Sequence, residues 1–267
     1  HLTYYQRDGN YQIGGSMLGK ITTSSENGNL NIKEDGADSF HISTGIRSLL
    51  SLFDQESQEK RTVELSLPKG TKLETFSGSS SLGDVTLSNL SAKNADFSLS
   101  QGSLTVNDGQ FASGKFKNSL GEITINNSQI SSGKIIDSSG TIPLSNSQFA
   151  SGEISNSLGE VNLNSSKISD STLKISSGSL NSEQLELAGT ISITNQLGDI
   201  NLHLVSGSLS QLSFDLKTDL GEIDIPSSIS VEHSKGHELG GSAIRKVENP
   251  TTTLTASAQS GSIKLSE

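Results

Sequence analysis

Five carboxylates occupy one place in a recurring motif: Asp84, Glu122, Glu160, Asp199 and Glu222 each directly follow a Leu-Gly pair. Carboxylates that converge on one sheet face can serve polysaccharide-cleaving chemistry or line another ligand site, so their spacing decides what is open to them. The first three lie two repeat units apart, and an interval of roughly 9.6 Å between like charges lowers their mutual repulsion. Stacking explains the spacing first; a carboxylate-lined ligand site is the alternative. Sugar-processing sites usually add aromatic platforms, yet the chain has no Trp and its three Tyr stand at positions 4, 5 and 11. The lysines of the repeats, Lys115, Lys134, Lys167 and Lys174, are scattered rather than clustered. β-Helical polysaccharide lyases and hydrolases keep the enzyme reading open as an alternative, but the expectation is a protein without catalytic residues.

Other constellations are thinner. His233 and His237 are four residues apart, but Gly236 between them argues against a metal-binding helix, and Glu238 is the only third ligand on offer. That stretch reads as a polar loop. KEDGADS (33–39) has the start of a calcium loop without the glutamate that would close the coordination sphere, so it reads as a turn. Serines are plentiful but no histidine sits in a nucleophile motif; Ser81, Ser100, Ser119, Ser138, Ser157 and Ser176 read as small corner residues bonding to nearby backbone. No cofactor and no metal is expected.

The elements that would carry these residues follow from a repeat. Gly83, Gly102, Gly121, Gly140, Gly159 and Gly178 recur every 19 residues, each followed two residues later by an aliphatic residue from Val85 to Leu180. Two further series keep the same step: Phe111, Ile130, Phe149, Ile168, Leu187, and Phe97, Phe116, Ile135, Ile154, Leu173. Alternation in GDVTL, GEITI and GEVNL places Val85/Leu87, Ile123/Ile125 and Val161/Leu163 inward, with Thr86, Thr124 and Asn162 outward. Nineteen residues are too few for a helical repeat but suffice for one turn of a parallel β-coil. The fold class is therefore all-β, a single-chain parallel β-helix (β-solenoid) with capped ends, right-handed by the general bias of parallel crossovers. Seven or so turns would rise roughly 34 Å. A narrow solenoid core also accounts for a hydrophobic content of only 31%, against about 45–50% in globular domains.

Leucine precedes the glycine only on alternate turns, at Leu82, Leu120 and Leu158, and again at Leu197 and Leu220, so the full unit is a pair of turns. Strict parity puts these leucines outside, as a stripe available to a partner. The competing reading, and the one favoured by sequence, is that the glycine corner rotates each leucine into the core. Pro143 stands where other turns carry Thr105, Thr124 or Asn162, and a missing N–H there predicts a bulge or a water in the ladder. The organisation expected is one continuous elongated domain: N-terminal strands and cap (1–75), regular turns (76–225), and a loop with closing strands (226–267). Ile46, Leu49, Leu50 and Phe53 at helical spacing suggest a covering element over the open end.

A net charge of −10 disfavours nucleic acid and anionic membrane surfaces as partners. Zero cysteines exclude a disulfide framework and suit a bacterial exterior. No stretch is long and apolar enough to span a bilayer, and a start at His1 leaves room for a removed signal or anchor. The VELSLPKGTKLE segment (63–74), the repeated (S/N)xLG(D/E)(I/V)xL turns and the final SGSIKL resemble a bacterial family of β-solenoid domains of unknown function that carries an adhesin name. The resemblance covers nearly the whole chain. It implies an extracytoplasmic, N-terminally anchored protein, chiefly of Gram-positive envelopes, and carries over no catalytic set. The expected function is a non-catalytic cell-surface adhesin or envelope binding module, whose partner is an envelope protein or glycan. A ligand-sensing ectodomain in envelope stress is the alternative.

Overall fold

The computed structural model describes residues 70–231 and 240–267 throughout, the backbone of the strand Glu232–Lys235 and, before these, the backbone of six strands between residues 2 and 68. The described residues are all-β, with a single 3-10 turn at Ser208–Gln211 and no α-helix among them. They form parallel coils about 19 residues apart, the β-solenoid the repeat predicts, in two compact units, His1–Ser132 and Gly133–Glu267. The expected covering element at 46–61 lies outside the described residues.

In the first unit each coil contributes a short and a long strand. The short strands Val85–Ser88, Leu104–Asn107 and Ile123–Asn126 pair in parallel and in register. Alternation works as the pattern requires: Val85, Leu87, Leu104, Val106, Ile123 and Ile125 are buried, while Thr86, Thr105 and Thr124 lie on the outer face. The long strands Lys72–Ser80, Ser91–Leu99 and Gln110–Asn118 form the second sheet and bury Phe76, Phe97, Phe111 and Phe116. Beyond Lys72–Ser80 the parallel order ends in an antiparallel meander, Ser39–Ser43, Asn29–Glu34 and Ile21–Glu26. That switch occupies the open edge of the stack, which bare parallel strands would leave unpaired. Leu2–Arg7 slots between Val63–Pro68 and Val85–Ser88, parallel to both.

Two corners fix each coil. At the first, Gly121 has φ of 129°, and a Cβ there would sit 1.9 Å from the carbonyl oxygen of Gly102, so the position demands glycine for both backbone angle and space. At the second, Asn89, Asp108, Asn127 and Asn146 adopt left-handed φ between 49 and 56°. Asn and Asp tolerate that region better than other side-chain-bearing residues. Corner serines of another series bond to backbone. Ser128 Oγ accepts the N–H of Gly109 at 2.9 Å and donates to Asn126 O at 2.6 Å. Ser166 repeats the device, accepting from Ser147 N–H and donating to Asn164 O.

The second unit departs from chain order. Its short strands run Ile142–Ser145, Val161–Asn164, Leu180–Glu183, Ile200–His203, then Ile263–Ser266, and only then Ile223–Asp224. In the long-strand sheet Thr252–Ser260 likewise lies between Glu186–Leu197 and Leu212–Leu220. The C-terminal strands, expected to close the array, are therefore wedged inside it. Antiparallel strands Gly241–Arg245 and Glu232–Lys235 follow on the outer side of Leu212–Leu220.

The ladder on one side of Pro143 carries no bulge. Ile142–Ser145 pairs with Val161–Asn164 without a register shift, Pro143 opposite Asn162. In a parallel ladder alternate residues bond to the same neighbour; on this side the donors are Ile142 to Glu160 O (2.9 Å) and Asn146 to Asn164 O (3.0 Å). Proline's missing N–H falls outside that set, so the ladder on this side is undisturbed.

Candidate functional site

The leucines settle on the outside, against the core reading. Leu82, Leu120, Leu158, Leu197 and Leu220 are between 50 and 71% exposed, and they are the exposed large hydrophobic residues among those described. The reason is a buried asparagine two residues earlier. Asn156 Nδ2 donates to Gly140 O at 2.9 Å and to Glu160 O at 3.2 Å; Asn195 does the same to Gly178 O and Asp199 O. Asn118 reaches Gly102 O at 2.8 Å, and Thr218 Oγ1 reaches Gly261 O at 2.7 Å. These side chains fill the inside of the corner and bind its carbonyls through their donors, while Oδ1 of Asn118, Asn156 and Asn195 is buried without a partner. No room is left for leucine.

Neighbouring turns present small or polar residues at the leucine position. In the first unit Gly83 N–H donates to Gln101 O and Gly102 N–H to Leu120 O, so Gln101 separates Leu82 from Leu120. In the second, Gly159 bonds Ser177 O, Gly178 bonds Leu197 O, Gly198 bonds Ser260 O and Gly261 bonds Leu220 O. The wedged C-terminal coil thus places Ser260 between Leu197 and Leu220 and restores an alternation that chain order alone would have broken. Within each unit the leucines recur every second turn, roughly 9.6 Å apart.

The carboxylates next to them are exposed, and four of the five bond to the coil itself. Asp84 Oδ1 accepts the N–H of Ser103, and Asp199 Oδ1 that of Ser262, both at 2.8 Å. Glu122 Oε1 takes the hydroxyl of Thr124 at 2.6 Å, and Glu160 Oε2 lies 3.5 Å from Asn162 Nδ2. Glu222 is exposed beside Leu220, and its N–H donates to Ser262 Oγ at 3.2 Å. The repeat glycines Gly83, Gly102, Gly121, Gly140, Gly159 and Gly178 all have positive φ and form the corner itself.

One carboxylate elsewhere is electrostatically perturbed. A hydrogen bond from Lys174 (2.7 Å) holds Glu153 below the usual carboxylate range; burial opposes this, and the charges of Lys174 and Lys134 add to it. Of the histidine pair, His233 lies in the Glu232–Lys235 strand, while His237 and Glu238 fall outside the described residues, as does most of the 33–39 turn. Among the described residues no three His, Asp or Glu side chains converge as a metal site.

The coils, the glycine corners and the alternate-turn leucines define a parallel β-solenoid repeat domain. Residues 6–266 match the family described as Toastrack DUF4097, and the chain belongs to that family of β-solenoid domains of unknown function. No curated protein and no solved structure matches it.

What the sequence missed here was the corner clamp. Asn118, Asn156 and Asn195 each precede Ser-Leu-Gly or Gln-Leu-Gly, and polar residues on an inward-facing parity were the available signal.

Proposed function

We propose that this chain is a non-catalytic binding module of the bacterial cell surface, which holds an envelope partner on its Leu-Gly-acidic corners. The exposed leucines carry the reading. Leaving a Leu in water rather than burying it forgoes about 1.5–3 kcal/mol, and here that arrangement is repeated at every second turn with a carboxylate two residues away. A partner surface with apolar groups and Lys or Arg at a matching interval would cover the leucines and meet the carboxylates. The acidic side chains that would have to act in catalysis are engaged with backbone N–H groups of the next coil at Asp84 and Asp199, which favours a binding role. An extracytoplasmic location fits a cysteine-free chain rich in Ser, Thr and Asn and the family resemblance.

The test compares the wild-type protein with L158S/L197S/L220S as baits for envelope fractions. Retention of a defined partner by wild type and its loss in the variant, with an unchanged melting temperature, is the expected result. A variant that melts substantially earlier would return the leucines to a structural role, and a wild-type protein that retains nothing would overturn the reading.

A further inference from the structure

A second surface, separate from the leucine corners, lies on the outer face of the short-strand sheet in the second unit. There a groove of about 600 Å3 runs across the outward side chains of successive coils, a size typical of small-ligand sites. Its floor is a ladder of amides: Asn181 Nδ2 donates to Asn162 Oδ1 at 3.3 Å, and Asn201 Nδ2 to Asn181 Oδ1 at 3.0 Å. Pro143 continues the row at one end, in register with Asn162.

The groove has a structural cause. The position of Leu144 and Leu163 is taken in the next coil by Ser182, and pairing between Leu180–Glu183 and Ile200–His203 stops at Asn181 opposite Asn201. Ser182 Oγ instead accepts the N–H of His203 at 3.0 Å. Pairing resumes only at Leu185 opposite Leu204, so the later coil crosses this stretch with one residue fewer than its neighbour, and the ladder opens beside the asparagines.

An asparagine amide has two N–H donors and two oxygen lone pairs. The ladder consumes one of each at Asn181, leaving one donor and one acceptor aimed outward on a side chain held from both sides. Such a pair complements a secondary amide, which has one N–H and one C=O, and it also accommodates hydroxyl groups. Pro143 adds an apolar C–H face. Glu183 is the only charged residue in the lining, and Lys264, next in the row after Asn201, is paired with Asp224 at 3.6 Å. Nothing in the groove recruits an anion.

We propose that this groove binds a short neutral saccharide bearing acetamido groups, read by the Asn162–Asn181–Asn201 ladder. From Asn162 to Asn201 the ladder covers two coil steps, roughly 9.6 Å, about the reach of a disaccharide. The inference does not depend on the leucine corners, and their failure as a contact surface would leave it standing.

Tri-N-acetylchitotriose and cellotriose serve as probes, followed by the side-chain amide resonances of the intact protein. The acetamido sugar is expected to shift the Asn162, Asn181 and Asn201 amides, with cellotriose binding more weakly. Asn181→Ala should weaken binding about tenfold, the loss of one amide pair, at an unchanged melting temperature, and L158S/L197S/L220S should bind as wild type. Should N181A unfold, Pro143→Thr, which introduces the residue that Thr105 and Thr124 supply at this place, is expected to weaken binding without touching the ladder. Equal binding of both sugars, shifts confined to residues outside the groove, or no shift at millimolar sugar would each overturn the proposal.

Discussion

The two units solve the same stacking problem with different fillings. The first packs phenyl rings, Phe76 edge-on to Phe97 at 5.2 Å and Phe111 to Phe116 at 5.5 Å, and carries threonines on the outer face of its short strands. The second uses mostly aliphatic side chains, such as Ile154, Ile168, Leu173 and Ile193, and carries Pro143 and asparagines outside. Both keep the same glycine corner and the same buried polar clamp. The interior and exterior of a coil can therefore be exchanged by size and polarity, whereas the corner cannot.

That contrast is most sharply broken at the glycines. Gly102→Ala and Gly159→Ala would place a Cβ 2.2 and 1.9 Å from the preceding glycine's carbonyl oxygen, both at positive φ. Each should lose on the order of 3 kcal/mol or more in urea unfolding; tolerance in either unit would show that the corner is not a shared requirement. The clamp comes next. Asn156→Ala loses two bonds and Asn118→Ala one, so both should cost about 1–3 kcal/mol, with Asn156 the larger. A reversed order in thermal melts would put the second carbonyl contact out of the account.

The smallest effect concerns charge. Lys174 and Lys134 lower the Glu153 pKa from 4.5 in the folded chain. The stability this pair adds is present above the unfolded value and is lost as pH falls through the folded one, that is, below about pH 4.5. Partly exposed ion pairs contribute about 0–1 kcal/mol, so Glu153→Gln should lower stability by at most about that much at neutral pH, leave it unchanged in strong acid where the pair is already lost, and so slightly flatten the acid limb of a stability profile. An identical acid limb in wild type and variant would remove the pair from the energetics.

Much of this fold could be read in advance. Val85 to Leu180 and Phe97 to Leu173 are all buried, because period-two alternation inside a strict repeat leaves no other place for them. Leu187 is only half-buried, where the repeat itself loosens. The leucine corners could not be read, because parity and the glycine turn gave opposite answers and only the hydrogen bonds of Asn118, Asn156 and Asn195 decide between them. The place of the last strands was illegible for a related reason: nothing local in TTTLTASAQSGSIKLSE states which earlier coils it will separate. Yet Leu197 and Leu220, adjacent in sequence among the leucine corners, already broke the alternation that Ser260 repairs.

The wedged coil sets a timetable. In the second unit, turns from Ile142 to His203 can be laid down in the order of synthesis, each on its predecessor. Residues 212–224 cannot take their final place until 252–266 exist, since Thr252 Oγ1 bonds Leu187 O and Ser262 N–H bonds Asp199, across 65 and 63 residues. Loop closures of that length are slow compared with neighbour-on-neighbour stacking, so the end of the second unit must wait, unpaired, for the last residues of the chain.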